Sequence, residues 1–151
     1  MPSRRLIAAL AALLSAGSAM AAPSGTIRLE GTVSAQCTVA VTDANQQLDI
    51  TGGETGKQVG TVVETCNSSG GYTVTVASAN GGVLRTAGGA SGVGYTLTYD
   101  GSARGLSSPL QVEREGAQFG RVVPVLVSLN PAPNAVAGTY ADTITITISG
   151  R

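Results

Sequence analysis

The chain has 151 residues, with nine Lys or Arg against nine Asp or Glu, a formal net charge of zero, no histidine and only 3% aromatic residues. Balanced charge and scarce aromatics argue against a nucleic-acid partner. The missing histidine excludes Ser-His-Asp and Cys-His catalysis. We therefore expect a protein that is not an enzyme and that needs no cofactor or metal.

The first 21 residues have the order of a secretory signal peptide. Arg4 and Arg5 precede an apolar run from Leu6 to Leu14, and small residues end at Ala19-Met20-Ala21, which fits an A-x-A cleavage site. The apolar run is shorter than the roughly 18 residues that a membrane span requires. We expect a signal peptide over residues 1–21, export of the remaining single domain, and no membrane insertion.

The mature N-terminus has a short alternating segment. Gly25, Ile27 and Leu29 alternate with polar or charged residues from Thr26 to Glu30. Alternation of this kind predicts an extended strand with an apolar face that docks on a sheet edge. We treat residues 22–31 as an extension that precedes the domain at residues 32–151.

Two cysteines, Cys37 and Cys66, remain after cleavage. An exported chain meets an oxidising compartment, where such a pair normally closes into a disulfide. Closing this loop would stabilise the fold by about 3–4 kcal/mol. Two buried thiols or a metal pair are the alternatives, but the chain has no histidine or further cysteine to complete a metal site. We expect a disulfide.

A period of two residues recurs along the mature chain, while a helical period does not. The pattern predicts an all-β, two-sheet sandwich. The clearest strands place on one face Tyr72, Val74 and Val76; Tyr95, Leu97 and Tyr99; and Tyr140, Ile144, Ile146 and Ile148. Weaker strands are predicted at residues 32–41, 47–50, 59–65, 110–113 and 122–129, where Pro124 indicates an edge or a bulge.

Three segments together resemble a known family. They are Ser34-Ala35-Gln36-Cys37-Thr38-Val39, the stretch from Val63 to Val76 around the second cysteine, and the closing stretch from Val136 to Ile148 with its Gly-Thr-Tyr-Ala-Asp-Thr motif. They are similar to the spore coat protein U domain and to the related pilins of archaic chaperone-usher pili. The resemblance covers essentially the whole mature chain.

The resemblance implies an incomplete immunoglobulin-like β-sandwich of the pilin type. Its final strand is missing, and a periplasmic chaperone fills the open groove first, before the N-terminal extension of the next subunit replaces it in the fibre. This is recognition by strand addition. Carried onto this sequence, the donor strand has Gly25, Ile27 and Leu29, and the acceptor groove with the C-terminal strand has Gly138, Tyr140, Ile144, Ile146 and Ile148.

The function implied is a structural subunit of a surface pilus, or fimbria, that serves adhesion or biofilm formation. Its partners would be copies of itself or sibling pilins, head to tail, with a periplasmic chaperone and an outer-membrane usher. The isoleucines of the last strand are equally well explained as ordinary core. The alternative function is therefore a self-contained secreted or outer-surface coat or binding module.

Overall fold

The computed structural model of the chain describes residues 22–151, so the predicted signal peptide at residues 1–21 lies outside the described residues. The chain divides after Thr32 into two units. Residues 22–32, the described part of the first unit, have no regular secondary structure. From residue 22 to residue 151, no helix is long and apolar enough to cross a membrane.

The second unit, Val33–Arg151, is built from β-strands. They are β1 (Cys37–Asp43), β2 (Glu54–Cys66), β3 (Tyr72–Ser78), β4 (Val83–Thr86), β5 (Gly92–Gly94), β6 (Thr96–Tyr99), β7 (Ser102–Arg104), β8 (Leu110–Arg114), β9 (Gln118–Leu129), β10 (Tyr140–Ala141) and β11 (Ile144–Gly150).

The strands form three antiparallel sheets. The largest has the order β1-β2-β9-β6-β7, the second β11-β3-β8, and the smallest β10-β4-β5. Side chains of the first two sheets share one core, in which Val62 and Leu97 from one sheet and Tyr72 and Val74 from the other are fully buried. The described chain is thus all-β, as predicted, with the layered packing of a sandwich.

The alternation of apolar residues correctly identifies the buried faces. Tyr72, Val74 and Val76 of β3 are fully buried, as are Leu97 and Tyr99 at β6. In β11, Ile144, Ile146 and Ile148 are half-buried, while the threonines between them are exposed. A period of two fixes which face of a strand meets the core, so these assignments follow from the sequence alone.

Pro124 lies in the long strand β9, opposite Thr61 of β2. On the other side of β9, pairing with β6 begins only at Val125. At the proline, β9 therefore has a paired neighbour on one side only. β9 as a whole is an inner strand, so the predicted edge strand is wrong, but the free side at Pro124 and the irregular register of β2 between Gln58 and Gly60 explain why a missing N–H is tolerated there.

The strand predicted at residues 47–50 is wrong, because this segment is a loop that ends in a turn. The Asp49 carboxylate accepts hydrogen bonds from the Gly52 amide (2.8 Å) and the Thr51 hydroxyl (3.0 Å), and its carbonyl accepts one from the Gly53 amide (2.9 Å). Local bonds of an aspartate to the following backbone compete with strand pairing. The turn returns the chain toward β2.

Candidate strand-acceptor groove

Among the strands that end a sheet, and so have only one paired neighbour, β1 and β11 border the same part of the core. β1 pairs with β2 at the edge of the largest sheet, and β11 pairs with β3 at the edge of the second. Within residues 33–151, β1 and β11 are not paired with each other. Two unpaired edges thus lie on either side of the same core, and unpaired edges are sites where another strand can add.

The hydrogen-bonding side of each β11 residue follows from its register. The Ala79 amide donates to the Thr143 carbonyl at 2.9 Å, and the Arg151 amide donates to the Gly71 carbonyl at 2.9 Å. In an antiparallel pair these bonds involve alternate residues. Odd-numbered residues of β11 therefore bond to β3, and the backbone groups of Ile144, Ile146 and Ile148 point to the free edge.

The same reasoning applies to β1, with the opposite parity. The Ala44 amide donates to the Val59 carbonyl at 3.0 Å, and the Asn67 amide donates to the Gln36 carbonyl at 3.1 Å. Even-numbered residues therefore bond to β2. The backbone N–H and C=O groups of Val39 and Val41 point away from β2, toward the free edge.

An apolar groove of about 350 Å³ lies between the two edges. Its lining comes from β1, β2, β9 and β11, with the loop before β2 and the segments around β4 and β6. The lining residues are Val41, Thr42, Asp43, Leu48, Val59, Gly60, Leu84, Tyr95, Val125, Val127, Asp142, Thr143, Ile144 and Ile146. Aliphatic side chains dominate this set, so the groove suits an extended apolar segment better than a charged ligand.

We call the end of the β1–β11 gap that two acidic residues line the open end, and the end where Gly150 meets the disulfide the closed end. The open end has Asp43 from β1 and Asp142 from just before β11. At the closed end, Gly150 lies against the disulfide, and a Cβ atom placed on Gly150 would be 3.1 Å from the Cys37 sulfur. β1 and β11 thus run in opposite directions and converge toward the disulfide.

The predicted disulfide between Cys37 and Cys66 is present, and it joins the first residue of β1 to the last residue of β2. The two cysteines are directly opposite each other in the register of the strand pair. Cys66 is fully buried and Cys37 half-buried. The bond therefore fixes β1 to the sheet at the closed end of the groove.

The residues predicted for the acceptor groove fall into two places. Ile144 and Ile146 line it, and Ile148 packs on the core further along β11. Tyr140 pairs with Thr86 of β4, and its hydroxyl donates to the Val136 carbonyl at 2.8 Å. Gly138 lies in the loop before β10. Neither Gly138 nor Tyr140 is among the lining residues.

The residues predicted for the donor strand belong to the first unit. Ile27 and Leu29 are 89% and 90% exposed, and Gly25 is also exposed. Val33 is 86% exposed. Residues 22–36 have no regular secondary structure, and these large apolar side chains are exposed to water. Their role as a donor strand stays a prediction.

Sequence reasoning missed most of the β1 side of the groove. No local pattern in the sequence distinguishes Val41, Leu48 and Val59 from other strand or loop residues. Only the pairing of the strands brings them to one cavity. Asp142 lines the open end and is the acid of the Gly-Thr-Tyr-Ala-Asp-Thr motif. That motif was a signal that could have identified it.

A second polar feature lies inside the sandwich. Glu64 is fully buried, and its carboxylate accepts hydrogen bonds from the hydroxyls of Tyr72 (2.7 Å) and Tyr99 (2.5 Å). The Arg114 guanidinium donates two more, each of 2.9 Å, and also pairs with Asp100. Burial alone would raise the pKa of Glu64, but the hydrogen bonds from Arg114, Tyr99 and Tyr72 together hold it below its usual range.

The cluster of Glu64, Tyr72, Tyr99 and Arg114 has no access to a substrate. Burial and the hydrogen bond to Glu64 raise the pKa of Tyr72 to about 12, and its hydroxyl donates to the Glu64 carboxylate. Every carboxylate oxygen has partners within the protein, as buried polar groups require. The cluster is therefore part of the fold and not a candidate binding site.

No family model matches the sequence, and no curated protein matches it. Among solved structures, the chain is similar to the E. coli Hda pilus minor tip subunit, HdaB, with 12% sequence identity and a TM-score of 0.43. The match covers 74% of this chain and 79% of that chain.

Proposed function

We propose that this protein is a structural subunit of a surface pilus and that its groove accepts an extended strand from another subunit. The observation that carries the proposal is the apolar groove between the free edges of β1 and β11. Each edge offers main-chain N–H and C=O groups, while the groove offers aliphatic side chains. Strand addition needs both, because backbone bonds supply affinity and alternate side chains supply register.

The proposed occupant is the segment that contains Gly25, Ile27 and Leu29, supplied by a second copy or a sibling pilin. Its apolar residues alternate, so one face can enter the groove while Thr26 and Arg28 face outward. Ile27 and Leu29 are almost fully exposed, and burial of each would contribute about 1.5–3 kcal/mol. Transfer of these two side chains from water into the groove would therefore stabilise the complex.

Each copy would carry one donor segment and one acceptor groove, which are different surfaces. Contacts of this head-to-tail kind propagate into an open filament when the rotation between copies does not close a ring. An unoccupied groove with two free strand edges would be prone to wrong pairing. The proposal therefore includes a periplasmic chaperone that covers the groove after export and an outer-membrane usher that exchanges it for the next subunit. The role in adhesion or biofilm formation is structural and not catalytic.

The test is the electrophoretic mobility of the exported protein in detergent, unheated against boiled, with the disulfide intact. We expect a ladder of subunit multiples that collapses to monomer on boiling. The double variant Ile27→Asp/Leu29→Asp should abolish the ladder, because charged side chains cannot enter an apolar groove without a large desolvation cost.

The matched control is Thr26→Asp/Thr32→Asp, which adds the same two charges to the opposite face of the same segment. It should keep the ladder. A wild-type protein that is monomeric in both lanes would overturn the proposal and favour the self-contained binding module. Loss of the ladder in both double variants would show that the added charge prevents assembly on either face of the segment. It would contradict the role of the apolar face.

A further inference from the structure

Asp142 is held at the open end of the groove by four hydrogen bonds. One carboxylate oxygen accepts from the Ser78 hydroxyl (2.5 Å) and the Tyr95 hydroxyl (2.8 Å). The other accepts from the backbone amides of Asn80 (3.0 Å) and Thr143 (2.7 Å). An ionised carboxylate only accepts hydrogen bonds, so four donors around it match its chemistry fully.

The four partners of Asp142 come from different parts of the chain. Ser78 is the last residue of β3, Asn80 is in the turn that follows, and Tyr95 directly precedes β6. Thr143 directly precedes β11. Asp142 therefore ties the entry of β11 to the turn after β3 and to the tyrosine before β6.

Two of these residues belong to the groove itself. Tyr95 and Thr143 line the cavity together with Asp142, and Tyr95 is only 7% exposed. Without the carboxylate, the Tyr95 hydroxyl would lose its hydrogen-bond acceptor in a largely buried position, and a buried hydroxyl without a partner is costly. The Tyr95 ring would then turn toward water, where its hydroxyl can form a hydrogen bond. In that position the ring would occupy the space that an incoming strand needs.

We propose that Asp142 is a positioning residue of the groove, which fixes Tyr95 and the first residues of β11 in the arrangement that accepts a strand. This inference rests on the proposed function and deepens it. Asp142 does not contact the incoming backbone in this scheme. It acts through Tyr95 and Thr143, so that Ile144 and Ile146 present their free edge without rearrangement. A binding site that is ordered in advance loses less free energy on binding.

The test uses the full chain with Ile27→Asp/Leu29→Asp, which removes donation and leaves the groove intact. The probe is a fluorescent synthetic peptide of residues 24–33, and its affinity is measured by anisotropy. Asp142→Ala in this background should weaken peptide binding by about tenfold or more. It should also speed amide hydrogen exchange at Thr143 and Thr145.

A general loss of stability would not weaken peptide binding in this way. Val112→Ala is the control variant, because it lowers stability at a site away from the groove. Val112 is a half-buried residue of β8, on the opposite side of β3 from β11. At a temperature where both variants are fully folded, Val112→Ala should change peptide affinity by less than about twofold, because distant sites act independently. If Asp142→Ala does not fold, Asp142→Asn keeps the size of the side chain but replaces one accepting oxygen with an NH2 group that cannot accept, so two of the four hydrogen bonds are lost and binding should weaken by about threefold.

Two failures are distinguishable. Equal peptide affinity in the parent and in Asp142→Ala, or in the parent and Asp142→Asn if that variant is needed, would overturn the positioning role and leave the proposed function standing. A groove that takes up no peptide in the parent background would overturn the proposed function, and the positioning role would fail with it.

Discussion

Glu64 and Asp142 each accept four hydrogen bonds, but in very different surroundings. Glu64 is fully buried and has the Arg114 cation beside it, whereas Asp142 is half-buried at the groove and is held by hydroxyls and backbone amides. A fully buried carboxylate needs a counter-charge, while one at an open groove can share its charge with water. The comparison separates a closed region, which maintains the fold, from an open region, which is available for binding.

The largest expected effect is in the closed region. Arg114→Met should lower the free energy of unfolding by about 3–5 kcal/mol, because it leaves the Glu64 charge buried without its partner. Urea denaturation with the disulfide intact measures the change. The control is Arg28→Met, which removes an exposed ion pair with Glu30 and should cost less than about 1 kcal/mol. Similar small losses in both variants would contradict the role assigned to the cluster.

Removal of the disulfide should have the next largest effect. Cys37→Ala/Cys66→Ala should lower the free energy of unfolding by about 3–4 kcal/mol, since the bond closes a loop with a sequence separation of 29 residues. Thermal unfolding measures it, and wild-type protein in a reducing agent should unfold at about the same temperature as the variant. An unchanged melting temperature in both experiments would show that β1 holds to β2 without the bond.

The smallest effect on stability is expected in the open region, at the free edge of β1. The Val41 amide points to the free edge, while the Thr42 amide faces β2. Val41→Pro should therefore cost less than about 1 kcal/mol and still weaken strand uptake, because it removes an N–H that only an added strand would use. Thr42→Pro removes a ladder bond and should cost about 3 kcal/mol or more.

Thermal unfolding measures the stability of the two proline variants, and binding of the peptide of residues 24–33 measures their strand uptake. Val41 is 57% exposed, so its side chain adds little to the core and the comparison reports mainly on the backbone. Equal losses of stability in the two variants would show that β1 does not have a free side.

Much of the closed region could be predicted from the sequence. Local alternation identifies the inward positions of β3 and β6, and a predicted signal peptide followed by two cysteines predicts the disulfide. Glu64 could have been noticed as a charge on the inward face of β2, between Val62 and Cys66. Its partner Arg114 is 50 residues away, and no local pattern joins the two.

The open region was harder to predict from the residues alone. A groove between β1 and β11 depends on which strands remain unpaired, and that is a property of the topology rather than of any single segment. The family resemblance implies that Ile144 and Ile146 belong to the groove, but their alternation fits an ordinary core strand equally well. Alternation predicts a strand at residues 47–50, which includes Leu48, but the hydrogen bonds of Asp49 favour a turn there.

The free edges of β1 and β11 consist of main-chain groups, and this limits what mutation can change. Every substitution except proline leaves the N–H and C=O of Val41 or Ile146 in place. Substitutions in the groove can therefore change the shape of its lining. This would change which side chains fit into the groove, and so which partner is chosen. The main-chain groups that the proposed strand addition would use are therefore kept as long as the fold is kept.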